Sequence, residues 1–281
     1  MNYREVLLRL REKGFVPKKH LGQNFLVDKN IVDFIVRVSS IEGKNVLEVG
    51  GGLGILTKPL SLLSKRLVVI EKDPYLYEYL REEFSEFTNV SVIHGDIMDI
   101  DLKNIFGGED YSIVSNLPYS ITSPFLFKLW DTDPPVDLMV LMLQYDVAQR
   151  IMGTKKEDRC PLYVLYSLTH RVEFLKKVSG SVFIPRPKVD SAIIRMTKVK
   201  DLDSRLKPYL RRIVDSAYRY RRKKLHKALS TEIPDLDWKT VITNLGLNPE
   251  SRAEDLDPGN WLTIAIGVIN LLNKQKTVQY D

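Results

Sequence analysis

A chain of 281 residues, 44% apolar, with a formal charge of +6 and an isoelectric point near 9.1, can build one large core or a large and a small one. Its single cysteine, Cys160, excludes an intrachain disulfide and an all-cysteine metal site, so a reducing, cytoplasmic setting is expected, and no metal. The start "MNYREVLLRLREKG" lacks the apolar centre of an export signal, and "LTIAIGVINLL" falls short of the roughly 20 residues a membrane span needs, so a soluble protein without a membrane partner is expected.

In chain order, an amphipathic start leads into "VPKKHLGQNFLVD", an irregular basic segment. A helix is predicted from about Lys29 to Ser39, with Ile31, Phe34, Ile35 and Val38 at helical spacing. Strands and helices then alternate. "NVLEV" (45–49), "RLVVIE" (66–71), "VSVIHGD" (90–96), "YSIVSN" (111–116) and "VDLMVLML" (136–143) are short runs rich in branched residues, separated by segments of helical length. That spacing predicts an α/β fold, a parallel sheet with helices on both faces.

"YVLYSLTHRVEFLKKV" and "SAIIRMTKV" add a last helix and strands, with "FIPRPKVD" between them. Beyond about Lys198 the strand signal stops, and helices are predicted near 204–230, 237–245 and 258–274. Two domains follow: 1–198, including a basic segment 1–28, and a small all-helical domain, 199–281. From Arg205 to Lys227 ten Lys and Arg stand against one acid, Asp215, with Tyr209, Tyr218 and Tyr220 interleaved. Such a run suits nucleic acid, since cations hold phosphates and aromatic rings stack on bases.

"VLEVGGGLGILT" sets Gly50, Gly52 and Gly54 after a strand and before a helix expected to start near Ile55. A glycine turn alone equally suits plain structure. Here, however, Glu71 ends the next strand, 21 residues beyond Gly50, where a carboxylate grips ribose hydroxyls. Asp96 ends the third strand, placed to accept from an adenine amine while Ile97 or Met98 packs on the ring. Glu48, two residues before the first glycine, suits a cofactor with a cationic end, and no GxxxxGK[ST] loop follows. The pattern favours S-adenosylmethionine over NAD or ATP.

"SNLPYS" (115–120) lies at the end of the fourth strand, beside that crevice. An aromatic amine is a poor nucleophile because its lone pair is delocalised into the ring. A side-chain oxygen from Asn116 and the carbonyl of Leu117, beside the stiffening Pro118, can accept its hydrogens, and Tyr119 offers a stacking face. In "SVFIPRPKVDS", Phe183 is a candidate for the opposite wall of a base pocket, with Arg186 and Lys188 near an incoming backbone; a core Phe before an edge strand is the plain alternative. In "KKHLGQNFL", Lys18, Lys19 and His20 suit phosphate, while Gln23 and Asn24 can fold over the cofactor or cap a helix.

Together, "LGQNFL", "VLEVGGGLGILT", "VVIEKD", "HGDIMD", "SNLPYSITSPFLFKL", "QYDVAQRI", "FIPRPKVDS" and "AYRYRRKKLHKAL" resemble the ribosomal RNA adenine dimethyltransferase family over nearly the whole chain. The resemblance implies a Rossmann-like S-adenosylmethionine-dependent methyltransferase that dimethylates N6 of two adjacent adenosines in the 3′-terminal hairpin of small-subunit ribosomal RNA. It implies the pre-ribosomal small subunit as partner; the oligomeric state is left open, with a monomer as the default. Gln23, Asn24, Leu26, Glu48, Gly50, Gly52, Glu71, Lys72, Asp96, Ile97 and Asn116 would hold the cofactor. Asn116, Leu117, Pro118, Tyr119 and Phe183 would hold the target base, and Lys18, Lys19, Arg186, Lys188, Arg221, Arg222, Lys223 and Lys224 the RNA. The loop reads GGG where many members read GPG or GAG, a change at Gly51 expected to alter stiffness more than chemistry. A large-subunit methyltransferase and a non-catalytic RNA-binding assembly factor are the competing readings.

Overall fold

The computed structural model describes residues 3–12, 14–18 and 21–278. They form two compact units, Met1–Ala148 with Val172–Lys198, and Gln149–Arg171 with Val199–Asp281.

The first unit holds helices α1 (Tyr3–Glu12), α2 (Lys29–Ser39), α3 (Thr57–Leu63), α4 (Pro74–Glu83) and α5 (Thr122–Thr132). Its strands are β1 (Phe25–Leu26), β2 (Asn45–Val49), β3 (Arg66–Glu71), β4 (Val90–His94), β5 (Tyr111–Asn116), β6 (Val136–Gln144), β7 (His170–Val178, whose first two residues fall in the other unit), β8 (Phe183–Ile184) and β9 (Ser191–Lys198). Helix α6 (Tyr145–Met152) runs from one unit into the other.

Seven strands make one sheet in the order β4-β3-β2-β5-β6-β9-β7, and β1 pairs with β8 in a separate two-stranded ribbon. β4, β3, β2, β5 and β6 run parallel. β9, between β6 and β7, returns antiparallel on β6, so the sheet is mixed where a parallel one was expected. Every residue of β2 is buried, as a strand covered on both faces requires. One face packs Val46, Leu67, Val69, Val114 and Val140 against Ile35, Leu60, Leu80 and Phe84. Helices start where the chain supplies acceptors: Asp28 caps α2 through Ile31 N–H, and Asp73 caps α4 through Tyr75 N–H with Pro74 in the first turn.

The chain winds outward from β2 through β3 to β4, then returns to the other side of β2 for β5 and β6. The order therefore reverses between β2 and β5, and the carboxyl ends of these strands flank the crevice where open α/β sheets bind ligands.

The second unit is built from α7 (Pro161–Ser167), α8 (Leu206–Arg219), α9 (Leu225–Glu232), α10 (Trp238–Asn244) and α11 (Pro258–Val278). Leu210, Ile213, Leu229, Trp238, Ile242 and Trp261 are buried in it. The single helix expected over 204–230 is two, broken across Tyr220–Lys224 where no Gly or Pro marks the break. The unit also takes in 149–171, placed by the sequence reading in the first domain. The reason is local: α7 packs on α8 and α11, and Arg159 donates to the carbonyls of Glu254 and Leu256, each at 3.3 Å. Among the described residues no helix is long and apolar enough to cross a membrane, and no His, Cys, Asp or Glu cluster is arranged to hold a metal.

Candidate active site

A cavity of about 290 Å³ opens at the reversal between β2 and β5. The turn after β2 forms one wall. Gly50 and Gly52 hold φ of +77° and +56°, which side-chain-bearing residues rarely adopt. A Cβ on Gly50 would stand 3.3 Å from Pro118 Cγ, and one on Gly52 3.3 Å from the Phe25 ring. The turn is therefore pressed against the Asn116–Tyr119 segment on one side and β1 on the other. Gly51 is constrained by packing: a Cβ there would lie 2.6 Å from Val69 Cγ1 and 2.7 Å from Leu80 Cδ1. The space beneath the loop thus favours a glycine at this position.

Two buried carboxyls face this turn. Glu71 Oε2 accepts from Gly52 N–H at 3.0 Å and Oε1 from Asp73 N–H at 2.9 Å. Burial raises its pKa, and those backbone donors oppose the rise. Glu48, 2% exposed, accepts from the Thr57 hydroxyl at 2.7 Å. Burial is the main cause that pushes its pKa up to about 8. A buried carboxyl with one neutral partner ionises only where a cation or further donors compensate its charge.

Asp96 follows β4 and lines the same cavity. Its Oδ2 pairs with Lys72 Nζ at 2.5 Å and its Oδ1 takes Met98 N–H at 2.9 Å. The Lys72 contact holds its carboxyl below the usual range. On the target side, Ser115 Oγ donates to Val49 O at 2.7 Å and Leu117 N–H to Met142 O at 3.0 Å, fixing the strand end. Asn116 Nδ2 reaches toward Asn24 O at 3.5 Å, and among the described residues its Oδ1 accepts nothing. Tyr119 Oη shares a 2.7 Å hydrogen bond with Ser191 Oγ.

All eleven residues expected at the cofactor line this one cavity, as do Leu117, Pro118 and Tyr119. Phe183 does not. It pairs with Leu26 in the β1–β8 ribbon and is 2% exposed in the same core cluster as Val178, the placement the plain reading of a core Phe describes. Gln23 is engaged as well: its Oε1 accepts Lys18 N–H at 2.6 Å and its Nε2 donates to Asp73 at 2.9 Å. Lys18, expected on phosphate, pairs with the fully buried Asp73 at 3.0 Å. Lys19 and His20 lie outside the described residues.

Arg186 and Lys188 are exposed in the first unit. In the second, Arg221 donates to Glu157 O at 2.6 Å and sits 3.7 Å from Glu254, and Lys224 pairs with Glu250. Arg222 is exposed with no partner among the described residues, and Lys223 lies over the Tyr220 ring at 4.5 Å. The sequence reading missed Thr57 and Asp73, polar groups that hold the site residues. For Asp73 the signal was its N-cap position ahead of Pro74; Thr57, the first residue of α3, caps nothing and carried no such signal.

The family described as ribosomal RNA adenine dimethylase matches residues 14–270. The chain is 34% identical over 272 residues to "Ribosomal RNA small subunit methyltransferase A" of Anoxybacillus flavithermus, covering 91% of this chain and 92% of that one. It is likewise 34% identical over 278 residues to the protein of that name from Bacillus mycoides, with the same coverage. Among solved structures, a dimethyladenosine transferase from Plasmodium falciparum superposes with a TM-score of 0.72 at 25% identity, over 85% of this chain and 95% of that one. The 23S rRNA methyltransferase ErmE gives 0.66 at 24% identity, over 87% and 99%, a likeness of fold. The chain belongs to the ribosomal RNA adenine dimethylase family.

Proposed function

We propose that this chain transfers two methyl groups from S-adenosylmethionine to N6 of each of two adjacent adenosines in the 3′-terminal hairpin of small-subunit ribosomal RNA. The observation that carries this reading is the shared cavity, in which Asn116–Tyr119 lie against the Gly50–Gly52 turn. The pre-ribosomal small subunit is the particle it acts on, in the cytoplasm and as a monomer. The names of the curated relatives support the small subunit, whereas the large-subunit enzyme is similar in fold alone.

The residues present fit the cofactor. The cradle is one that a Cβ on Gly50 or Gly52 would fill, and Glu48 is a buried carboxyl short of a cationic partner. Glu48 would take the ammonium end, Glu71 the ribose hydroxyls, Asp96 the adenine amine, and Ile97 the face of the ring. When bound, S-adenosylmethionine supplies a methyl group on a positively charged sulfur.

The chain's own groups do the rest. Asn116 Oδ1 and Leu117 O accept the two N–H bonds of the target amine. That favours a pyramidal nitrogen and aims its lone pair at the methyl carbon. Tyr119, its hydroxyl held by Ser191, offers a face to the flipped base. As the N–C bond forms the S–C bond breaks, and the cationic amine gives its proton to water, so no strong general base is required. Arg222, Lys223, Arg186 and Lys188 hold RNA phosphates.

Labelled methyl transfer to separated small and large subunits tests the substrate. Label in the small-subunit RNA alone supports the reading; label in large-subunit RNA alone overturns it.

A further inference from the structure

Lys128 stands on α5, nearly two turns beyond the point where the Asn116–Tyr119 segment runs into that helix. Its ammonium donates to the carbonyls of Ile97 at 3.0 Å, Met98 at 2.6 Å and Ile100 at 2.6 Å. An ammonium has three donors, so backbone oxygens take all of them. The residue is half-buried and has no ion-pair partner among the described residues. Three carbonyls drawn from four consecutive residues converge on one cation, and without it their dipoles would face one another uncompensated. The segment that supplies them begins at Asp96 and closes on itself, with Met98 N–H on Asp96 Oδ1 and Asp99 N–H on Asp96 O, both at 2.9 Å.

The lysine therefore ties together two walls of one cavity. Asp96 and Ile97 line it from one side, and Asn116 to Ile121, which leads into α5, from the other. Lys128 itself does not line it. We propose that Lys128 is a positioning residue, a tethered cation that sets the adenine-reading segment Asp96–Ile97 against the segment that holds the target base. This rests on the function proposed above and adds to it a residue remote from the reacting atoms.

Because Lys128 acts through the adenine-reading segment, its loss weakens cofactor binding and leaves the methyl-transfer step largely intact. Lys128→Met keeps the stem and removes the three donors. Titration calorimetry with S-adenosylhomocysteine should show Kd raised about tenfold or more. Steady-state assays should show KM for S-adenosylmethionine rising in parallel, with kcat at saturating cofactor within about threefold of wild type. Lys128→Gln, with two donors, should fall between the two, and it carries the test if the Met variant does not fold. A folded variant with lowered Tm but wild-type Kd and KM for the cofactor has lost only structure, and that result overturns the inference alone. A wild-type protein that fails to bind S-adenosylhomocysteine overturns the functional reading, and this inference with it.

Discussion

The carboxyl of Glu48, at the end of β2, accepts a 2.7 Å hydrogen bond from the hydroxyl of Thr57, the first residue of α3. The glycine turn between them is thereby closed by a buried acid whose pKa stands at about 8.

That pKa exceeds the unfolded value of 4.5, so the folded chain holds the proton more tightly. The resulting stability is complete below about pH 4.5 and is lost as pH rises through about 8. Glu48→Gln should remove the loss: in urea unfolding it gains on wild type between about pH 5 and about pH 9, by on the order of a few kcal/mol. Equal pH dependence in the two proteins would contradict this.

On the proposed function, the same carboxyl should govern cofactor uptake. An arriving ammonium favours the ionised form, so binding below about pH 8 releases a proton, and affinity climbs as pH approaches that value. Calorimetry in buffers of different ionisation enthalpy reads the proton directly. Glu48→Gln should abolish the release and weaken binding roughly tenfold; a wild-type affinity independent of pH would count against the ammonium contact.

Gly51→Ala should be costly even though Gly51 is the glycine of the loop's first three whose φ is not positive. The added methyl meets Val69 and Leu80, and overpacking of this kind costs about 1–3 kcal/mol. Chemical denaturation should show that loss, with a fall in cofactor affinity as the turn shifts.

Within the basic stretch, side chains of one sign do unequal work. Arg221 and Lys224 are tied to acids of their own unit, whereas Arg222 and Lys223 are not. The double substitution Arg222→Ala, Lys223→Ala should weaken RNA binding and reduce the slope of log K against log salt by about 1–2, with cofactor affinity unchanged. A slope that stays at the wild-type value would remove these residues from the interface.

Much of the first unit was legible in the sequence. Asn45–Val49, Arg66–Glu71 and Tyr111–Asn116 have the bounds expected, because each is a run of branched residues closed by Gly, Lys-Asp or Asn-Leu-Pro. The clustering of Glu48, Gly50, Glu71, Asp96 and Asn116 at one cavity was legible for the same reason: these residues sit at or just beyond strand ends, and strand ends are easy to place. What escaped depends on partners distant in sequence. Phe183 faces inward because β8 pairs with β1 from the far end of the same unit, Phe25 with Ile184 and Leu26 with Phe183. Lys18 and Gln23 converge on Asp73, and Lys128 on Ile97–Ile100. Residues 149–171 read as a continuation of the sheet region until α7 is seen packed on α8 and α11. Local pattern carries no signal for such pairings.

The most direct test of the central claim is nucleoside mass analysis of small-subunit RNA, taken from particles lacking the modification and incubated with the protein and S-adenosylmethionine. Wild type should yield N6,N6-dimethyladenosine at two adjacent positions of the 3′-terminal hairpin, and Asn116→Ala about 10²-fold less at equal RNA occupancy. Unmodified adenosines in that hairpin after incubation with a protein that binds both cofactor and RNA would contradict the account.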